Sequence, residues 1–137
     1  MFRKLQRNMA VNKTSLSAGL IIRAILMEDA EVAARINKIF PIGTDSADLP
    51  YLVYRRVDFA AGAVKTGHNP DEVQIEVLCC AAGYGESVEL AEAVRQALDN
   101  VSGEHDGMTM RGCRLTGGEE LQINEAYVQQ LIFTVKI

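Results

Sequence analysis

The sequence predicts an α+β domain, an antiparallel four-stranded sheet with helices packed on one face, in the order α-α-β-β-α-β-β. Three stretches predict it. Between Glu72 and Ala81, the residues Val73, Ile75, Val77, Cys79 and Ala81 alternate with Gln74, Glu76 and Cys80, the period of a half-buried strand, with Leu78 as the exception. After Gly83-Tyr84-Gly85, the segment Glu86 to Leu98 sets Val88, Ala91, Val94 and Leu98 on one helical stripe and leaves Glu89, Glu92, Arg95 and Gln96 outward. A strand and a helix joined by so short a bend must fold back on each other, so the helix covers the strand's apolar side. The third stretch is Ala126 to Lys136, where Tyr127, Leu131, Phe133 and Val135 oppose Val128, Ile132 and Thr134. Both faces of that strand are partly apolar near its end; one meets the helix and the other wants a partner.

A chain of 137 residues with an apolar share of 48% has enough material for one core without metal or disulfide support. Its 14 basic and 18 acidic residues give a formal charge of −4, which argues against a specific nucleic-acid partner or an anionic membrane surface. No apolar run approaches the roughly 20 residues of a membrane span. The opening MFRKLQRN has neither the apolar run nor the small-residue cleavage site of a secretory signal, so synthesis in the cytosol is expected. Three cysteines, two of them adjacent as Cys79-Cys80, make a poor disulfide framework and read as small core residues in a reducing compartment.

Residues 1–15 carry Arg3, Lys4, Arg7 and Lys13 with no acid and no sustained periodicity, and are read as a flexible, solvated basic arm preceding a single domain at 16–137. From Leu16 to Met27 the residues Leu20, Ile21, Ala24 and Ile25, flanked by Ile22 and Leu26 and interrupted only by Arg23, predict a helix apolar over much of its girth. Such a helix needs cover on more than one side, the first hint of a subunit contact. Ala30, Val32, Ala33 and Ile36 continue as a short second helix after the corner at Glu28-Asp29. Pro41 and Gly43 to Asp48 read as a loop that Pro50 closes. Tyr51 to Phe59 is a strand with Tyr51, Val53, Arg55 and Val57 on one face and Leu52, Tyr54, Arg56 and Asp58 on the other. Ala60 to Asn69 is too long for a tight hairpin turn and reads as a mobile loop between antiparallel strands. Asp99 to Gly107 reads as a second flexible connection. Met110 to Leu121 is a weaker strand, bulged around Gly117-Gly118, and Asn124-Glu125 turns the chain into the last strand.

Reactive constellations are scarce. His68 and His105 both fall in predicted loops, and neither stands at a ligand spacing from another His or a Cys, so no metal and no cofactor are expected. Cys80 or Cys113 as a nucleophile has nothing local to lower its pKa. Gly83-Tyr84-Gly85 before a helix invites a phosphate-loop reading, but there is no third glycine and no Gly-Lys-Ser/Thr, and Glu86 and Glu89 at the helix start repel an anion. Arg55 and Arg56 are candidates for clasping a carboxylate of another chain, with an internal surface pair as the equal alternative.

Beyond these patterns, Asp29-Ala30-Glu31-Val32-Ala33, Ile39-Phe40-Pro41 and Leu49-Pro50-Tyr51-Leu52-Val53-Tyr54-Arg55-Arg56 resemble the opening half of the phage tail completion family of small tail-to-head joining and tail-terminator proteins. Val73-Gln74-Ile75-Glu76-Val77, Cys80-Ala81, Tyr84, the helix Glu89-Leu90-Ala91-Glu92-Ala93-Val94-Arg95-Gln96-Ala97-Leu98 and the closing Tyr127 to Phe133 resemble its second half. The basic arm and the Gly117-Gly118 step lie outside the pattern. The resemblance implies a structural protein of a phage or prophage rather than an enzyme. It implies a homo-oligomer, commonly a six-fold ring, that caps the tail tube and meets the tube protein and the head-tail connector, made in the host cytoplasm and ending in the virion tail. A ring needs unlike patches that meet. The expected interface residues are Ile22, Arg23, Leu26, Arg55, Arg56, Val128 and Ile132. The alternative is a ligand-binding or regulatory α+β homodimer whose same surfaces pair isologously.

Overall fold

A computed structural model describes residues 11–44, 47–62 and 71–137. After a single 3₁₀ turn at Ser15–Ser17 come helices α1 (Ala18–Glu28) and α2 (Ala30–Ala33), then strands β1 (Lys38–Pro41), β2 (Tyr51–Ala60) and β3 (Glu72–Ala81). Helix α3 (Tyr84–Leu98) follows, and β4 (Gly103–His105), β5 (Met108–Met110), β6 (Gly112–Ile123) and β7 (Ala126–Lys136) complete the chain. Most of the basic arm, residues 1–10, and most of the expected loop at Ala60–Asn69 lie outside the described residues, as does His68.

Two corrections to the predicted fold class follow. The main sheet has five strands in the order β1-β2-β3-β7-β6, and it is mixed, because β1 runs parallel to β2 while the other pairs are antiparallel. The extra strand is supplied by Lys38 to Pro41, of which the sequence reading places only Pro41 in a loop, in register with Tyr51 to Tyr54. Four residues with only Ile39 buried print no alternation, so pairing with β2 decides their conformation. The expected flexible connection after Asp99 instead holds a separate two-stranded ribbon, β4 with β5. Its turn is Asp106-Gly107, both at positive φ (52° and 78°), the backbone that Asp-Gly adopts in tight hairpins.

The core lies between the sheet and the helices. Val73, Ile75, Val77 and Cys79 of β3, all at 0% exposure, meet Phe133 and Val135 of β7 and Leu52 of β2 on one face. Against them pack Ala18, Ile21, Ile22 and Leu26 of α1 and Leu90, Ala91, Val94 and Leu98 of α3. Two side-chain caps fix the helix entries: Thr14 accepts from the Leu16 N–H, and Asp29 accepts from the Val32 N–H at 3.0 Å. At the far end of α3, Asp99 accepts from the Leu115 N–H at 3.0 Å and tethers the helix to β6. Two bulges shift register, one in β2 between Arg56 and Asp58 and one in β6 between Leu115 and Gly117. The first moves Asp58 to the face opposite the one that unbroken alternation predicts, into register with Gln74.

Candidate functional site

Among the described residues, no helix packs on one face of the five-stranded sheet. Period-2 alternation and the strand register put Tyr51, Val53 and Arg55 of β2, Glu76, Leu78 and Cys80 of β3, and Val128, Gln130 and Ile132 of β7 on that outer face. Its centre is a carboxylate. Glu76, only 4% exposed, accepts from Arg55 Nε at 2.8 Å and from Gln130 Nε2 at 2.6 Å, one partner from each flanking strand. A buried charge is tolerated only when it is paired in this way.

Toward the C-terminal end of β3 the same face carries more apolar residues, beside the polar Thr44, Asn124 and Glu125. A cleft of about 480 Å³ is lined there by Tyr51, Val53, Leu78, Cys80 and Val128, with Ile42 and Ile123 among its lining residues. Ile42 is 76% exposed and Ile123 is 51% exposed. Ile42 sits at φ 68° in a three-residue turn closed by the Gly43 N–H on the Pro41 carbonyl at 2.7 Å, while its own N–H donates to the Tyr54 carbonyl at 2.7 Å. A β-branched residue in the left-handed region is an outlier that costs backbone energy, and here it presents an apolar side chain to solvent. Burial raises the Tyr51 phenol above its usual pKa, with the adjoining Cys80 adding to the shift.

The second surface is on the helix layer. The sheet claims one side of α1, and the opposite side carries Leu16, Leu20 and Met27, at 62%, 48% and 51% exposure, spaced as one stripe with Arg23 between them. Beyond α1, the start of α3 is pinned to the sheet: Tyr84 Oη donates to Glu120 at 2.6 Å, Gln129 donates to the same carboxylate at 3.0 Å, and the Tyr84 and Tyr127 rings meet edge to face at 6.2 Å. The Tyr84 hydrogen bond holds the Glu120 carboxyl below its usual pKa. With Gly83 at the N-cap and Glu86 in the first turn, this helix end serves as an anchored corner.

Of the residues expected at interfaces, Arg55, Val128 and Ile132 come together on the outer face, Ile132 directly opposite Glu76 in the ladder. Arg55 is paired inside its own chain. Arg56 lies over the Phe59 ring at 5.7 Å. Arg23 lies in the exposed stripe, whereas Ile22 and Leu26 are at 0% exposure under their own sheet. The sequence reading includes Leu20 in the apolar girth of the first helix but does not single out Leu16, Met27, Ile42 or Ile123. An apolar residue between Pro41 and Gly43, in the middle of a turn, was the available signal for Ile42.

All three thiols are buried, and burial pushes Cys80 up to about 11 and Cys113 up to about 12. Among the described residues no three of His, Cys, Asp and Glu are grouped to hold a metal. Among the described residues no helix is long and apolar enough to cross a membrane.

The scaffold is an α+β domain with all three thiols buried and with exposed apolar residues on both of its layers. The family described as Tail completion protein gp17 matches residues 21–137, and the chain belongs to it: this is a structural protein of a phage tail. Its backbone is similar to a chain of a structure titled "Virion of native gene transfer agent (GTA) particle", with a TM-score of 0.76 and 16% identity over 92% of this chain and 98% of that one. At that identity the similarity establishes the fold. No curated protein matches the chain.

Proposed function

We propose that this protein closes the head-proximal end of the tail tube as a ring of identical subunits, and that the ring offers its other side to the head connector. One observation carries the reading. A single chain bears two unlike surfaces with exposed apolar residues on opposite layers, the Leu20/Met27 stripe of α1 with Leu16 in the turn before it, and the partly polar cleft with Ile42 and Ile123 on the outer sheet face. Unlike patches that meet make a heterologous contact, which generates a ring when the rotation closes. In such a contact Arg23 and Ile132 lie within or beside the buried area, and Val128, Ile22 and Leu26 support it from beneath. An isologous dimer would instead bury one patch twice and leave the other exposed.

The test is electron microscopy of cognate tail tubes with wild-type protein, L20D/M27D and I42D/I123D, alongside light scattering of each protein. Wild type is expected to form closed rings on tubes of uniform length, and either double variant is expected to lose them. A wild-type chain that stays monomeric at high concentration, beside tubes that reach uniform length without it, overturns the proposal. If only one of the two variants loses association, the isologous dimer replaces the ring.

A further inference from the structure

Resting on the ring reading, we propose that the basic corner of the outer sheet face receives the acidic outward face of α3 from the next copy of this chain, and that this contact sets the register between subunits. The basic corner surrounds a cavity of about 460 Å³ at the end of the sheet where β3 begins and β7 ends. Arg111, Arg114 and Lys136 line it, with the Thr116 and Thr134 hydroxyls 3.1 Å apart and Glu72 as its one acid. Arg111, Arg114 and Lys136 are exposed and none lies within ion-pair distance of a described carboxylate, while the Arg114 charge also helps to hold the Asp99 carboxyl down.

The opposite charge is also without an ion pair. Glu86, Glu89 and Glu92 are exposed on α3 and make no ion pair with any described residue. Glu86 and Glu89 border a second cavity of about 330 Å³ with Pro50 and Asn37. The one cation lining it, Arg35, is engaged by Glu31 at 2.7 Å.

Topology keeps the two patches apart within one molecule. Arg111 and Arg114 stand at the β6 margin of the sheet, whereas Pro50 and Asn37 adjoin the β1 and β2 margin. The helices lie on the face opposite the basic corner. Glu86 follows the end of β3 and Glu72 begins it, so the length of a ten-residue strand, roughly 30 Å, separates them. Opposite faces, margins and strand ends place the patches where copies repeating head to tail bring them together, and where two copies related by a two-fold axis do not.

Charge complementarity of this kind fixes register and excludes wrong partners. A duplex is the weaker occupant, because affinity for nucleic acid grows with the number of phosphates neutralised, and this patch offers three cations beside Glu72 on a chain of charge −4.

The experiment reverses each patch separately in the full chain, as R111E/R114E and E86K/E89K, and measures association by sedimentation velocity at low and high salt. Each variant alone is expected to self-associate ~10-fold or more weakly than wild type at low salt, and wild-type association is expected to fall as salt is raised. An equimolar mixture of the two variants is expected to regain wild-type association, since each then meets a complementary partner; recovery also shows that both variants are folded. If wild type assembles and either reversal leaves association unchanged, or the mixture fails to recover, the contact is refuted while the ring reading stands. If R111E/R114E abolishes binding to a 30-bp duplex without touching association, the corner serves nucleic acid and the contact is refuted. If wild type forms no oligomer alone or on tubes, the ring reading falls and takes this contact with it.

Discussion

Replacing Arg55 by alanine tests whether the outer sheet face is organised around a buried carboxylate. The side chain of Glu76 is 6% exposed and that of Arg55 is 49% exposed, so the pair is half surface and half interior. A fully exposed pair contributes at most about 1 kcal/mol, whereas a buried charge that loses its only ionic partner costs ~3–5 kcal/mol. Gln130 remains to donate to Glu76 Oε2, and Arg55 is half in water, so the expected loss lies between these limits, at about 2 kcal/mol. For a chain of 137 residues that corresponds to a melting temperature lower by roughly 6–10 °C. Urea denaturation followed by circular dichroism measures it, and the double variant R55A/E76L separates the two contributions. Removing the charge together with its partner relieves the unpaired group, so the double variant is expected to regain most of the stability. A loss below about 0.5 kcal/mol in R55A, in the range of ordinary surface substitutions, would refute the reasoning. So would a double variant no more stable than R55A.

Three further outcomes are expected. A Cβ on Gly118, at φ 156°, would run into the carbonyl oxygen of Gln130, so Gly118→Ala is expected to destabilise by ~2 kcal/mol or more; Gly85→Ala, with open space around its Cβ, is expected to be neutral or to stabilise by up to about 0.5 kcal/mol in the same denaturation assay. Hydrogen bonds from the Ser15 hydroxyl and the Gly62 N–H hold the Asp71 carboxyl below its usual pKa, and those from the Leu115 N–H and Arg95 do the same for Asp99. The unfolded chain therefore binds these protons first, so the stability the two groups contribute is full above the ordinary carboxylate range and is lost as pH falls through it; the slope is expected to shrink in D71N and D99N when unfolding is followed against pH. Because burial raises Cys80 to about 11 and Cys113 to about 12, and raises Cys79 as well, iodoacetamide at pH 8 is expected to leave the native protein unlabelled and to label all three thiols in urea, as read by mass spectrometry.

Where one face of an element is buried and the other is not, the period showed in the letters. Val73 to Ala81, the α3 stripe and the alternation of the last strand were readable for that reason, and each occupies a central position in the fold. Elements too short to repeat were not readable. Lys38 to Pro41 has one buried residue and acquires its conformation from a parallel neighbour thirteen positions away. The β4–β5 ribbon did carry a sign, the Asp106-Gly107 step, but its strands of three residues have no period to go with it. The candidate site divided in the same way. The two-sided character of Val128 and Ile132 followed from alternation. The girth of α1 announced an excess of apolar surface without saying which residues its own sheet would claim, and the sheet took Ile22 and Leu26 and left Leu20 and Met27 outside.

The two outermost strands of the main sheet have a bearing on whether copies of the chain can pair backbone to backbone. β1 is four residues long and ends in Pro41, which has no N–H to offer a newcomer, and β6 is broken by a bulge and by the Gly117-Gly118 pair. Polymerisation by backbone pairing, the route to open-ended fibrils, therefore lacks a flat and continuous template at either margin. In the proposed ring, side-chain surfaces are left to govern association, and their geometry sets the number of copies.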